Sequence, residues 1–256
     1  MNTKVTLIIK EYNLNFVDIE LNNLTFLTGT NGSGKSIVNI SVWFCNFLNH
    51  CKYNPSIGEL PLSLIQSYFN NIFTNPLSGT MILHCNDNKL NTYNGYIEII
   101  FKKGIVNHVK YIHIDLDSSN FPVPMYLSTN TRLFSNHDHY LILRKTVKDM
   151  GDLLNFYKLY DIQFFEIVLN IGRQKLQFEK EDLTPFEQFD TCGIDLNEIK
   201  SFYLDENETS YYIDYLNTKS NKIESSKVSS LSNGTQAIIS MALPLIQSNF
   251  SNGIKN

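Results

Sequence analysis

Gly29-Thr30-Asn31-Gly32-Ser33-Gly34-Lys35-Ser36 is the stretch that decides how this chain is read. It fits G-x-x-x-x-G-K-[ST] at every fixed position, the pattern of a loop that holds phosphate. The residue types suit that chemistry. Glycines let the backbone curl so that several N–H groups converge on phosphate oxygens. A helix start adds partial positive charge at the same place. Lys35 is placed to reach the outer phosphates and Ser36 to ligate Mg²⁺. The setting agrees: Leu24–Thr28 predicts a strand feeding the loop, and Ile37 to about Asn49 predicts a helix leaving it. A chance match in a loop is the bland alternative, and the strand–loop–helix order weighs against it.

Outward from the loop, Val5–Ile9 and Phe16–Leu21 alternate apolar and polar residues and predict a pair of strands. Beyond it, Leu62–Phe73 is a short amphipathic stretch. Thr80–Cys85, Tyr93–Phe101 and Val106–Leu116 alternate with turn residues between them and predict an antiparallel meander. Val123–Leu127 predicts a return strand. His139–Ile171 is mostly helical in pattern, with a break near Gly151. Glu198–Leu204 and Ser210–Leu216 predict a hairpin around Asp205-Glu206-Asn207-Glu208. Gln236–Ile246 predicts a last helix, its end distorted by Pro244.

Composition narrows the classes. The chain has 256 residues, 43% apolar, with 14 Tyr and 17 Phe, enough for a sizeable core rich in strand. A net charge of -4 gives no global electrostatic reason to bind nucleic acid. Cys45, Cys51, Cys85 and Cys192 form no C-x-x-C pair and read as buried free thiols of a reducing compartment. A zinc site at His50-Cys51 is a weak alternative. The N-terminus has no signal-peptide core and no apolar run is long enough to span a membrane, so a cytoplasmic protein is expected. His137-Asp138-His139 reads as a solvated helix start rather than a metal cluster.

A second motif, Leu231-Ser232-Asn233-Gly234-Thr235-Gln236, precedes the last helix. By itself it is an N-capped helix start. Together with the phosphate loop, and in this order, it resembles the signature of ABC-type ATPases, in particular the soluble branch with SMC-like and OLD-like heads. The run Phe26–Ser36 and the serines before the signature, Ser229 and Ser230, resemble that branch as well, and Tyr126–Arg132 is loosely similar to its segment near the catalytic water. The gap between Lys35 and Ser232 suits a head with inserted lobes. The resemblance implies an α/β fold: a P-loop NTPase mixed sheet with an antiparallel β lobe and a helical lobe. Residues 1–50 would form the phosphate-loop core, 51–122 an inserted β lobe, 123–197 a return strand and helical lobe, and 198–256 the hairpin, signature and last helix. It further implies a cytoplasmic ATPase binding ATP and Mg²⁺. Gly29, Thr30, Asn31, Gly32, Ser33, Gly34, Lys35 and Ser36 would contact nucleotide in one copy, with Ser36 on the metal. Ser232, Gly234 and Gln236 would contact it from the other copy of a head-to-tail dimer. DNA as a partner follows from family analogy only, and no membrane is expected.

One part of the family pattern is missing. A strand of form hhhhDE is expected about twenty residues after the signature helix, yet the sequence reaches Asn256 with Ser251-Asn252-Gly253 where that strand would begin. The expectation is therefore an incomplete head, its Walker B carboxylates supplied by another chain, or a module that binds ATP without hydrolysing it. Phe202-Tyr203-Leu204-Asp205-Glu206 mimics the motif but precedes the signature, and reads better as the hairpin. Tyr111–Asp117 is a weaker mimic. Asn88-Lys89-Leu90-Asn91 lacks the Asp of a guanine-reading N-K-x-D, which disfavours a GTPase.

Overall fold

Alternation along the first strands builds the first sheet. In β1 (Asn2–Ile9) Val5, Leu7 and Ile9 are buried while Lys4 and Ile8 face solvent. A 3₁₀ turn at Lys10–Tyr12 returns the chain into β2 (Leu14–Leu21), antiparallel to β1. This computed structural model describes residues 2–21, 25, 27–28, 30, 33–54, 56–87, 93–112, 125–178 and 198–251. The chain divides into two units, Met1–Tyr126 and Leu127–Asn256.

In the first unit, β2 is followed by α1 (Lys35–Tyr53) and α2 (Leu62–Ile72). Then come β3 (Gly79–Asp87), β4 (Tyr93–Lys102) and β5 (Ile105–Ile112). The five strands form one sheet in the order β2-β1-β3-β4-β5. The meander expected as an inserted lobe is thus continuous with β1 and β2. Helix α1 buries Val38, Ser41, Phe44, Cys45, Leu48 and Cys51, a spacing of three and four that puts them on one stripe. Ile65, Phe69 and Ile72 do the same in α2. Phe69 lies at the centre, its ring 6.0 Å from Phe44, 4.8 Å from Phe73 and 5.1 Å from Phe101 of β4. Gln66 pins α2 to the end of the sheet: its Oε1 accepts from Val106 N at 2.7 Å and its Nε2 donates to Gly104 O at 2.8 Å.

The mixed sheet expected of a P-loop fold does not form among the described residues. Every strand pairing among the described residues is antiparallel. The physical reason lies in the connections. Parallel neighbours need a crossover between them, and the helical connection from β2 does not place β3 beside β2. It enters beside β1, antiparallel to it, so the two strands that run the same way are kept apart by β1. The expected strand at Leu24–Thr28 is not seen either: Thr25, Leu27 and Thr28 lie outside any strand, the two threonines exposed, while Leu24 and Phe26 fall outside the described residues. Met125 to Leu127 are likewise not in a strand, and Val123 falls outside the description.

The second unit holds α3 (Phe134–Thr146), α4 (Met150–Leu154), α5 (Leu159–Gln174) and α6 (Asn233–Ser251). Its sheet, β6 (Leu176–Gln177), β7 (Ile199–Leu204), β8 (Tyr211–Asn217) and β9 (Lys222–Lys227), runs in chain order. Phe134, Phe164, Val168, Phe202, Tyr211, Ile213, Ile239 and Leu243 share its core. The hairpin expected at Asp205 is present between β7 and β8. The helical break falls on either side of α4, so Gly151 lies inside that short helix. Helix α6 continues seven residues past Pro244, which therefore does not end it.

Candidate functional site

The described residues before α1 bond to one another. Ser33 N donates to Thr30 O at 3.3 Å. Gly34 follows at φ 87°, left-handed, and a side chain there would also lie 2.9 Å from the Leu14 methyls. Such a backbone favours glycine. Lys35 Nζ turns back over the loop, donating to Thr30 O at 2.7 Å and reaching Ser33 Oγ at 3.4 Å. Ser36 is exposed in the first turn of α1. No side chain caps this helix and no acidic residue lies in its first turn. A helix begins with N–H groups that have no partner inside it, and Lys35 and Ser36 are the first two residues of α1. These residues fit a phosphate with a bound divalent cation. Gly29, Asn31 and Gly32 fall outside the described residues.

The second motif is an exposed helix start braced from behind. Ser232 Oγ accepts from Thr235 N at 3.2 Å and lies 2.8 Å from Thr235 Oγ1, an N-terminal cap of the expected kind. Ser232, Asn233 and Gly234 are exposed. Gly234 has no positive φ, and the nearest atom to an added Cβ is Ser232 Oγ at 4.0 Å. Nothing in its own unit requires glycine there. Gln236, expected to touch nucleotide, is instead buried and fully engaged inside the unit. Its Oε1 accepts from Phe134 N at 2.7 Å, and its Nε2 donates to Leu231 O at 2.7 Å and Ser229 O at 3.4 Å. The sequence carries no signal for this, since the Phe134 partner is 102 residues away.

The possible carboxylates resolve as follows. Asp205 closes the β7–β8 hairpin: its carboxylate accepts from Thr209 N, Thr209 Oγ1 at 2.7 Å and Ser210 N at 3.0 Å. These bonds hold its pKa below the usual carboxylate value despite desolvation. Asp115 and Asp117 fall outside the described residues, as do residues 88–91. In Tyr126–Arg132, Ser128 Oγ donates to Asp161 and accepts from Asn130 N at 3.1 Å, a polar knot at the start of α5. Burial raises the Asp161 pKa, and the Ser128 and Asn130 bonds oppose that.

His137-Asp138-His139, expected as a solvated helix start, lies one turn inside α3, and His137 is not solvated. It is 1% exposed, stacked on Phe134 at 4.5 Å, and its Nε2 donates to Thr131 O at 2.8 Å. Burial pushes its pKa down to about 4. His139 Nδ1 and Tyr157 OH are hydrogen-bonded at 2.8 Å. Among the described residues no cluster of His, Cys, Asp or Glu could hold a metal ion. Cys45 and Cys51 are buried free thiols, as expected, and burial raises the Cys51 pKa to about 11, which keeps it inert. No helix among the described residues is long and apolar enough to cross a membrane. In comparisons with known proteins, no family model, no curated protein and no solved structure matches this chain.

Proposed function

We propose that this chain is an ATP-binding head of the ABC type, a switch in which ATP joins two copies head to tail and hydrolysis releases them. The observation that carries it is the Lys35 ammonium held over the Gly34 turn at the start of α1 by the Thr30 carbonyl. Bound ATP with Mg²⁺ would supply the phosphate charge and the Lewis acid. Lys35 and the α1 start would bind and orient that charge, and the Ser36 hydroxyl would face the metal. The exposed Ser232–Gly234 start would meet the same phosphates from the second copy, donating from hydroxyl and backbone. Gln236 would brace that start rather than touch nucleotide.

A second reading is a module that binds ATP without hydrolysing it. It is favoured by Asp205, whose oxygens are committed to the hairpin. Light scattering with a slowly hydrolysed ATP analogue tests the proposal. The wild type is expected to double its mass with nucleotide, and Ser232→Arg to bind nucleotide yet stay single. Equal pairing by Ser232→Arg would reduce the second motif to a helix cap. Pairing without turnover on ATP would favour the second reading.

A further inference from the structure

We propose that Asp138 is a positioning residue that fixes the exposed start of α6 on α3, a role that rests on Ser232–Gly234 contacting the nucleotide of a second copy. Asp138 stands one turn into α3. Its Oδ2 accepts from Ser229 Oγ at 2.7 Å and lies 3.0 Å from Lys227 Nζ. The Asp138 side chain is 14% exposed, so its charge is largely shielded from water and Lys227 is the cation that meets it. Gln236 holds the same segment from its other end, through Leu231 O and Ser229 O, while accepting from Phe134 N in the first turn of α3. Residues 227–232 are thus fastened twice to one short stretch of α3. Ser232 and Gly234 emerge exposed directly after the second fastening. Without Asp138 the cap at Ser232 and the Gln236 clasp remain, but the approach to them loses its first anchor. The direction of the exposed helix start is then less defined, and a contact made across two copies is sensitive to that direction. The role also accounts for an acidic residue between two histidines that form no metal site: His137 turns into the core and His139 bonds Tyr157.

The test separates pairing from folding and from nucleotide binding. Asp138→Ala, Asp138→Asn and the core control Leu153→Ala are compared in the full chain. Affinity of the single chain is read with a fluorescent ATP analogue and Mg²⁺. Pairing is read by light scattering with the slowly hydrolysed analogue. Asp138→Ala is expected to keep nucleotide affinity within about twofold and to weaken pairing about tenfold. Asp138→Asn, which can still accept from Ser229, recovers most of the pairing. Leu153→Ala, destabilised in a separate cluster that includes Tyr140 and Phe165, pairs normally. If Asp138→Ala does not fold, Ser229→Ala removes the same hydrogen bond and is expected to weaken pairing in the same direction. Normal pairing by Asp138→Ala, alongside loss of pairing by Ser232→Arg, would overturn the role of Asp138 and leave the signature contact standing. Equal loss in Leu153→Ala would reduce the effect to stability and overturn it too. A wild type that never pairs on nucleotide would remove the signature contact and the role of Asp138 with it.

Discussion

Two glycines give opposite expectations for the same substitution. Gly34 has a left-handed backbone and the Leu14 methyls 2.9 Å from any added Cβ. Gly34→Ala should cost about 1–2 kcal/mol of unfolding free energy and disturb the loop. Gly234 has neither constraint. Gly234→Ala should leave stability within about 0.5 kcal/mol of wild type, or raise it slightly, yet weaken pairing on nucleotide. Denaturant melts and light scattering check both; a large loss of stability in Gly234→Ala would return that glycine to a local structural role. His137 sets a pH dependence. Its folded pKa is depressed by burial, from an ordinary value near 6.5 to about 4. The neutral ring is therefore what folding favours: its stabilising contribution is full above pH 6.5 and is lost as pH falls toward 4. Across that window it adds a slope of up to about 1.4 kcal/mol per pH unit. His137→Phe should show a shallower fall there in denaturant melts, and an unchanged slope would contradict the buried neutral ring. The histidine triplet was legible as helical, but neither the helix start upstream of it at Phe134 nor the burial of His137 was. Burial depends on Phe134, Phe164 and Phe165 closing around the ring, and those contacts belong to packing rather than to local sequence.

At the scale of elements, periodicity was informative where one face is apolar and silent where it is not. Strands β1 to β5 and helices α1 and α2 alternate or repeat strongly enough to be read directly. Strand β9, Lys-Ile-Glu-Ser-Ser-Lys, has a single apolar residue, Ile223, which is 67% exposed. It exists because β8 offers it a ladder, a cause no local pattern carries. Helix α3 begins at Phe134, five residues before the helical pattern that starts at His139, because its start is held by the distant Gln236 side chain rather than by a polar cap. The helix-to-sheet packing of the first unit hangs on Phe69. Phe69→Ala should destabilise the protein by about 3–5 kcal/mol, since its ring touches α1 and β4 as well as Phe73. A loss under about 1 kcal/mol in a denaturant melt would show that this core is not packed as described.

For the whole molecule, the glycine–lysine pattern at 29–36 stands out most in the sequence and the strand order of the first unit least. A glycine and lysine at fixed spacing declare themselves in sequence, whereas strand order depends on where the chain re-enters after α2. The antiparallel order β2-β1-β3-β4-β5 means that nucleotide binding has to be argued from the loop itself, from Gly34, Lys35 and the start of α1. The central claim is therefore that Lys35 holds phosphate, and calorimetric titration with ATP and Mg²⁺, comparing wild type with Lys35→Ala, tests it most directly. Charge-assisted bonds of this kind are worth about 2 kcal/mol or more, so Lys35→Ala should bind at least about thirtyfold more weakly while melting at a similar temperature. Equal affinity in the two proteins, or no detectable binding by the wild type, would contradict the claim.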